Sequence, residues 1–205
     1  NEELKVADAV LKYLELTQFS KIRHMKIPKR FKTREYMLLD SNTIENLGIL
    51  PTSTTRGKTL YDILKFTRTS MGHRKLRDFI ISPLLDKNII EQRFDYVEAL
   101  KEDHLLMEEL KEYFSHIKDL ERISSRISLR KATPRDLIAL KDSLEIVPYI
   151  IESVKTNLGI SSFFDKIDPL GEVKEIIEKT ICEEPSIEVG SGEVIKEGVS
   201  NELDE

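Results

Sequence analysis

Apolar residues recur every three or four positions along most of the chain, and this helical period constrains the fold more than any other feature. The pattern is strongest over residues 86–157, where it predicts four successive helices, the first capped by Asp86. Their apolar stripes are Ile90, Phe94, Val97 and Leu100; Leu106, Leu110, Tyr113, Phe114 and Ile117; Leu120, Ile123 and Ile127; and Leu137, Leu140, Leu144, Val147 and Ile151. Pro148 lies inside the last stripe and is expected to kink or end that helix, because proline cannot donate a helical hydrogen bond.

Helix ends are marked by residues that can cap free backbone N–H groups. Thr133-Pro134-Arg135-Asp136 is the clearest example, with threonine at the cap, proline at the first helical position and an acid at the third. Asp40 or Ser41 can cap a brief helix over residues 42–47, which Gly48 can stop.

Weaker helical patterns cover much of the remaining sequence. They predict helices over residues 2–19, 60–67, 73–81 and 172–181. Met71-Gly72 is expected to separate the second of these from the third, and Ser82-Pro83 to end the third. In that third helix we expect Leu76, Phe79 and Ile80 to point inward.

Two short segments look like β-structure. Residues 36–39 are apolar and strand-like, and residues 187–195 resemble a small hairpin around the turn Gly190-Ser191-Gly192. The predicted fold is therefore mainly α: a multi-helix domain with one or two short β segments, including a small hairpin near the C-terminus.

Composition excludes several classes of protein. Of the 205 residues, 40% are apolar and 34% are charged, which suits elongated helices with one solvated face. The single cysteine excludes a disulfide framework and a cysteine-based zinc site. No apolar run is long enough to span a bilayer, so we expect a cytoplasmic protein without a membrane segment.

Charge is distributed unevenly along the chain. Residues 165–205 contain 13 acidic and 4 basic residues, whereas residues 21–34 contain 7 Lys/Arg, one histidine and no acid. A basic stretch of this kind can contact nucleic acid, although it is more often a solvated surface loop.

No residue pattern predicts catalysis, a cofactor site or a metal site. Gly57-Lys58-Thr59 resembles the end of a phosphate-binding loop, but Thr52 stands where that loop needs a glycine. Cys182 is interpreted as a small buried hydrophobic residue. Surface, half-buried or helix-end positions account for the other candidates, which are His24, His73, His104, His116, Ser41, Ser70 and Ser82.

Seven short phrases, in order along the chain, resemble the core or lever domain of the MutS family of DNA mismatch-recognition proteins. They are Met37-Leu38-Leu39-Asp40-Ser41-Asn42-Thr43, Thr59-Leu60-Tyr61-Asp62-Ile63-Leu64, Thr67-Arg68-Thr69-Ser70-Met71-Gly72, Pro83-Leu84-Leu85-Asp86, Asp119-Leu120-Glu121-Arg122, Ala132-Thr133-Pro134-Arg135-Asp136-Leu137 and Asn201-Glu202-Leu203-Asp204. Phe79 departs from the family, in which a tryptophan is common at this position.

The resemblance implies a lever domain over residues 1–198, with 21–57 as an irregular connecting segment and 199–205 as the start of a helix leading to a missing clamp domain. In the parent protein the lever would transmit conformational change between an ATPase domain and a DNA clamp. That parent protein would bind mismatched duplex DNA, use ATP and Mg²⁺, and pair with a second MutS subunit. The fragment itself is expected to catalyse nothing, to hold no cofactor, and to self-associate through apolar surface left bare by truncation.

Two other classes of function stay open from the sequence. The chain could be an independent all-helical protein-interaction module, or a nucleic-acid binder acting through residues 21–34. The sequence of this domain also does not separate the mismatch-repair branch of the family from close relatives with other roles.

Overall fold

The chain divides into two compact units, Asn1–Thr33 and Arg34–Glu205. A computed structural model describes residues 2–18, 35–155, 160–164, 167–186, 190 and 192–204. In the first unit, α1 (Glu2–Gln18) confirms the helix predicted over residues 2–19. On α1, Lys12 Nζ lies 2.7 Å from the carboxylate of Asp8, one turn earlier. The basic stretch of residues 21–34 lies outside the described residues.

Helices dominate the second unit, which confirms the prediction of a mainly α fold. They are α2 (Ser41–Asn46), α3 (Leu60–Leu64), α4 (Ser70–Ile81), α5 (Lys87–Glu102), α6 (His104–His116), α7 (Leu120–Ser128), α8 (Pro134–Lys155), α9 (Ser161–Phe164), α10 (Gly171–Thr180) and α11 (Asn201–Asp204). Over the part of the chain that the structure describes, no helix combines the length and apolar character that crossing a membrane requires.

Side-chain caps explain where these helices begin. From α2 to α7, the residue before each helix accepts a hydrogen bond from a backbone N–H of the first turn, and these residues are Asp40, Thr59, Thr69, Asp86, Asp103 and Asp119. The caps predicted at Asp40 and Asp86 are confirmed. Gly48 follows α2 with a φ of 60°, a left-handed conformation that glycine adopts without strain.

The start of α4 differs from the prediction. Met71-Gly72 does not interrupt a helix, because α3 already ends at Leu64 and α4 begins at Ser70. The glycine N–H donates to Thr69 Oγ1 at 2.9 Å, inside the first turn. A Cβ at this glycine would lie 2.9 Å from Thr69 Oγ1 and 3.2 Å from Thr67 Cβ, so close packing explains the glycine.

The core of the second unit forms around α8. Helices α6, α7, α9 and α10 all pack against it, and α5 packs against α6. The central buried cluster consists of Leu106, Leu110, Ile150, Val154 and Ile160. The predicted stripe of α6 is confirmed, since both of its buried residues, Leu106 and Leu110, belong to this cluster.

Pro148 does not end α8, contrary to one of the two predicted outcomes. The helix continues for seven more residues to Lys155, and the proline side chain is exposed. Ile150 and Val154 follow the proline and are buried in the core. Their burial stabilises the last two turns enough to offset the hydrogen bond that proline cannot donate.

β-structure in the described residues is limited to two isolated antiparallel bridges, Tyr36 with Leu84 and Ile181 with Ile195. The strand-like segment predicted at residues 36–39 is therefore a single bridge. The predicted hairpin is not seen: residues 187–189 and 191 lie outside the described residues, and Ile195 pairs with the residue that follows α10. Hydrogen bonds from Cys182 N–H to Val194 O (3.0 Å) and from Lys196 N–H to Thr180 O (2.9 Å) flank this bridge.

Candidate interaction site at the junction of α4, α7 and α8

The segment that resembles the end of a phosphate-binding loop, Gly57-Lys58-Thr59, lies at the start of α3. Thr59 is 1% exposed and forms a capping box with Asp62, whose N–H donates to Thr59 Oγ1. The N–H groups of Leu60 and Tyr61 donate to the carbonyls of Gly48 (2.9 Å) and Ile49 (3.1 Å). Because these donors are already used inside the protein, they are not available to bind a phosphate group.

The histidine, cysteine and serine residues considered as candidates from the sequence lie at separate positions, and the structure does not bring the described ones together. His73 is half-buried with Nδ1 2.5 Å from Thr67 Oγ1, His104 and His116 are exposed, and His24 lies outside the described residues. Cys182 is half-buried rather than buried. Ser41, Ser70 and Ser82 lie at helix ends, as expected. Across the described ranges, no group of three His, Cys, Asp or Glu side chains is arranged to hold a metal ion.

The densest polar contact in the described residues joins α4 to the start of α7. The guanidinium of Arg74 donates to both carboxylate oxygens of Asp119, at 2.9 and 2.6 Å. It also donates to Glu121 Oε2 through Nε (2.8 Å) and Nη2 (2.5 Å). The two parallel hydrogen bonds to Asp119 have the paired geometry in which arginine binds carboxylates most strongly. We call these three residues the Arg74 cluster.

Asp119 has a second role, because it also caps α7. Its Oδ1 accepts the Arg122 N–H at 3.2 Å. The hydrogen bonds from Arg74 are the main cause that lowers the pKa of Asp119, and the Arg122 N–H adds to it against the opposing effect of burial. The carboxylate therefore stays ionised to a lower pH than an ordinary aspartate, and in that form it holds both helices.

A buried serine fixes the connection between α6 and α7 against α8. Ser143 is fully buried, and its Oγ donates to Ala139 O at 2.7 Å and accepts the Lys118 N–H at 3.0 Å. Lys118 lies just before the Asp119 cap. The predicted stripe of α8 did not include Ser143, because a serine inside a helix gives no apolar signal.

The predicted cap of α8 is confirmed and extends to α7. Asp136 Oδ2 accepts the Thr133 N–H at 2.7 Å, and the Asp136 N–H donates to Thr133 Oγ1 at 3.3 Å. Arg126 Nη1 donates to the other carboxylate oxygen of Asp136 at 3.1 Å. Burial alone would raise the pKa of Asp136, but the hydrogen bonds from Thr133 and the charge of Arg126 outweigh it and the pKa is lowered.

An apolar cleft of about 200 Å³ lies where α4, α6, α7, α8 and α9 meet. Its walls include Thr69, Met71, Phe114, Leu120, Ile150 and Phe164. Leu120 adjoins Asp119 in the chain, so the Arg74 cluster lies beside this cleft. The junction has charged links at its edge and mainly apolar packing inside, and the hydroxyl of Thr69 in the cleft wall already accepts the Gly72 N–H. Such an arrangement holds the helices in a defined relation.

Comparison with known proteins identifies what this junction belongs to. The family model described as MutS domain III matches residues 42–204. The chain is 72% identical over 205 residues to the DNA mismatch repair protein MutS of Petrotoga mobilis, covering 100% of this chain and 25% of that protein. It is 45% identical over 203 residues to that of Thermosipho melanesiensis (99% and 24%) and 40% identical over 202 residues to that of Thermotoga maritima (98% and 25%).

The chain thus spans about a quarter of the length of these curated relatives. The matched region includes every helix from α3 to α11 and all residues of the junction. The chain therefore belongs to the MutS domain III family.

Proposed function

We propose that this chain acts as the core or lever domain of a cytoplasmic DNA mismatch-recognition ATPase. The match of residues 42–204 to MutS domain III carries this proposal. In it, residues 1–198 form the lever and residues 199–205 begin a helix that leads to a DNA clamp. Mismatched duplex DNA, ATP with Mg²⁺, and a second MutS subunit are then partners of the larger protein.

The described helices suit a part that transmits movement without large internal change. Helix α8 has 22 residues and is about 33 Å long, and α6, α7, α9 and α10 pack against it. Packed helices of this kind shift as rigid bodies, since their cores resist continuous deformation. The Arg74 cluster links α4 to this group of helices through charged hydrogen bonds at one edge.

The lever itself supplies no catalytic group in this proposal. The helix start at Thr59 has its first N–H donors in use, and the junction residues are occupied with each other. ATP and Mg²⁺ would bind to other parts of the larger protein. The isolated chain should hydrolyse ATP no faster than a buffer control, and turnover above that control would contradict this assignment.

A chimera provides the direct test. The segment of Petrotoga mobilis MutS that matches this chain is replaced by the chain, and ATP hydrolysis is measured with and without mismatched duplex DNA. We expect the chimera to keep ATPase activity and its response to DNA. Arg74→Ala should reduce the response to mismatched DNA about threefold or more, while the activity without DNA is retained, because single mutations between two sites change their coupling by about 0.5–2 kcal/mol.

Lys155→Ala provides the matched control, because Lys155 also forms an ion pair, with Glu152 at 2.6 Å, but only within α8. Its response to DNA should equal that of the unmodified chimera. If Arg74→Ala and Lys155→Ala respond alike, the Arg74 cluster does not carry transmission. If the unmodified chimera has lost its response to DNA, the lever assignment itself fails.

Self-association of the isolated chain is a second part of the proposal. Large apolar side chains are exposed, including Phe66 at 84% and Leu105 at 86%, and exposed apolar area promotes association. We expect light scattering to show an average mass that rises with concentration. Phe66→Ser with Leu105→Ser should reduce that rise, and a constant monomer mass for the unmodified chain would contradict it.

A further inference from the structure

We infer that Lys75 and Arg93 form a binding site for a phosphate group. Both cations lie over the ring of Phe79: the Arg93 guanidinium carbon is 3.9 Å from the ring centroid, and Lys75 Nζ is 5.1 Å from it. Since both distances are measured to the same centroid, the two positive charges lie within about 9 Å of each other. Lys75 and Phe79 belong to α4, and Arg93 belongs to α5.

Neither of these two charges forms an ion pair in the part of the chain that the structure describes. Among the described residues, no carboxylate lies within 4.0 Å of Lys75 Nζ or of the Arg93 guanidinium. The sequence explains this for Arg93, because the helical neighbours three and four positions away are Ile89, Ile90, Tyr96 and Val97. By contrast, the Arg74 cluster shows how an arginine of α4 is paired when a carboxylate is near.

The aromatic ring also orients the arginine for an anion. A guanidinium stacked on a ring has one face covered, while its N–H groups point outward in its own plane. Arg93 is half-buried, which restricts its rotamers, and Lys75 is exposed. The prediction that Phe79 points inward was wrong in part, since its side chain is 40% exposed and supports the two cations.

Phosphate oxygens suit this pair because they accept several charge-assisted hydrogen bonds from arginine and one from lysine. The phosphate can come from free inorganic phosphate or from the phosphodiester backbone of nucleic acid, and both sources present the same oxygens. A phosphodiester contact of this kind would be independent of base sequence. Lys75, Phe79 and Arg93 all belong to the second unit.

The test measures binding of the 205-residue chain to inorganic phosphate, by calorimetry, and to a fluorescent DNA duplex, by anisotropy at several salt concentrations. We expect Lys75→Gln with Arg93→Gln to weaken binding about tenfold. For the duplex, the magnitude of the slope of log affinity against log salt should decrease by about one to two. A variant with fewer cations neutralises fewer phosphates and therefore releases fewer counterions from the DNA. Binding to phosphate but not duplex identifies the free anion as ligand, and tighter binding to duplex identifies the phosphodiester.

The matched control is Lys155→Gln with Lys179→Gln, which changes net charge equally at two exposed lysines that already have acidic partners. It should alter affinity less than twofold. Equal weakening by both double variants would show a general charge effect and overturn the site. The site would also be overturned if the unmodified chain bound neither inorganic phosphate nor the duplex. Should the first double variant fold poorly, Lys75→Arg keeps the charge and should retain affinity, and a tenfold loss there would also overturn the site.

Discussion

Ser143→Ala removes a hydroxyl group that joins α8 to the connection between α6 and α7 by hydrogen bonds. In the native protein its hydroxyl donates to Ala139 O at 2.7 Å and accepts the Lys118 N–H at 3.0 Å. Alanine fits the same space and favours a helix. It cannot accept a hydrogen bond, so the Lys118 N–H loses this partner.

The magnitude follows from three contributions to the free energy of unfolding. Losing the acceptor costs about 1–3 kcal/mol if the Lys118 N–H is left without another partner. Alanine returns about 0.5 kcal/mol of helix propensity relative to serine. The removed oxygen leaves a small void at Ser143, which is 0% exposed. We therefore expect a net destabilisation of about 1–2 kcal/mol.

Urea unfolding followed by far-ultraviolet circular dichroism measures this change. With a slope of about 2 kcal/mol per molar urea, the midpoint should fall by about 0.5–1 M. Ser115→Ala is the control, because Ser115 Oγ also donates to a backbone carbonyl, that of Glu112 at 2.7 Å, but its side chain is exposed. That variant should change stability by less than about 0.5 kcal/mol. Equal midpoints for the two variants would refute the structural role of Ser143.

Further changes test the core, the acid range and the proline of α8. Leu110→Ala should lower the free energy of unfolding by about 2–5 kcal/mol, because it leaves a cavity in the core. Leu105→Ala on the same helix is the control and should lower it by less than about 0.5 kcal/mol, because Leu105 is exposed. Equal losses of stability in urea unfolding would contradict the assigned core. Hydrogen bonds from Arg74 lower the pKa of Asp119 below its ordinary value of 3.8, so its stabilisation is complete above that pH and is lost as pH falls through the folded-state pKa. Asp119→Asn should therefore flatten the acid limb of a plot of stability against pH, and an unchanged limb would argue against this. Pro148→Ala should raise stability by about 1–2 kcal/mol, since alanine restores a helical hydrogen-bond donor at an exposed position. Part of that gain is offset because alanine increases the conformational entropy of the unfolded chain. A lower melting temperature for the variant would exclude this prediction.

Features encoded by neighbouring residues could be predicted from the sequence. The cap formed by Thr133 and Asp136 needs only two side chains three positions apart, so the spacing alone specifies it. The stripe with Leu106 and Leu110 likewise follows from the helical period. Both features are specified by residues that lie within one or two helical turns of each other.

Features that depend on distant residues could not be predicted in this way. Arg74 meets Asp119 and Glu121 across 45 and 47 positions, and nothing in the local sequence distinguishes it from other arginines. Ser143 is polar and sits where a helix can expose it, so its burial depends on how α8 packs. Pro148 shows the opposite case: of the two outcomes predicted for it, the end of the helix does not occur, because burial of residues further along the helix overrides this local signal.

The polar contacts of the junction form a connected series, and this bears on how a lever could work. Arg74 of α4 binds Asp119, Asp119 caps α7, and Arg126 near the end of α7 binds Asp136 at the start of α8. A displacement of α4 therefore acts on the cap of α7, and through α7 on the charge that holds the cap of α8. If this series transmits movement, Arg74→Ala and Arg126→Ala should be non-additive in the chimera's response to mismatched DNA, although the two arginines share no partner. Additive effects would mean that the two ion pairs stabilise the junction independently, and transmission would then have to pass through the apolar packing alone.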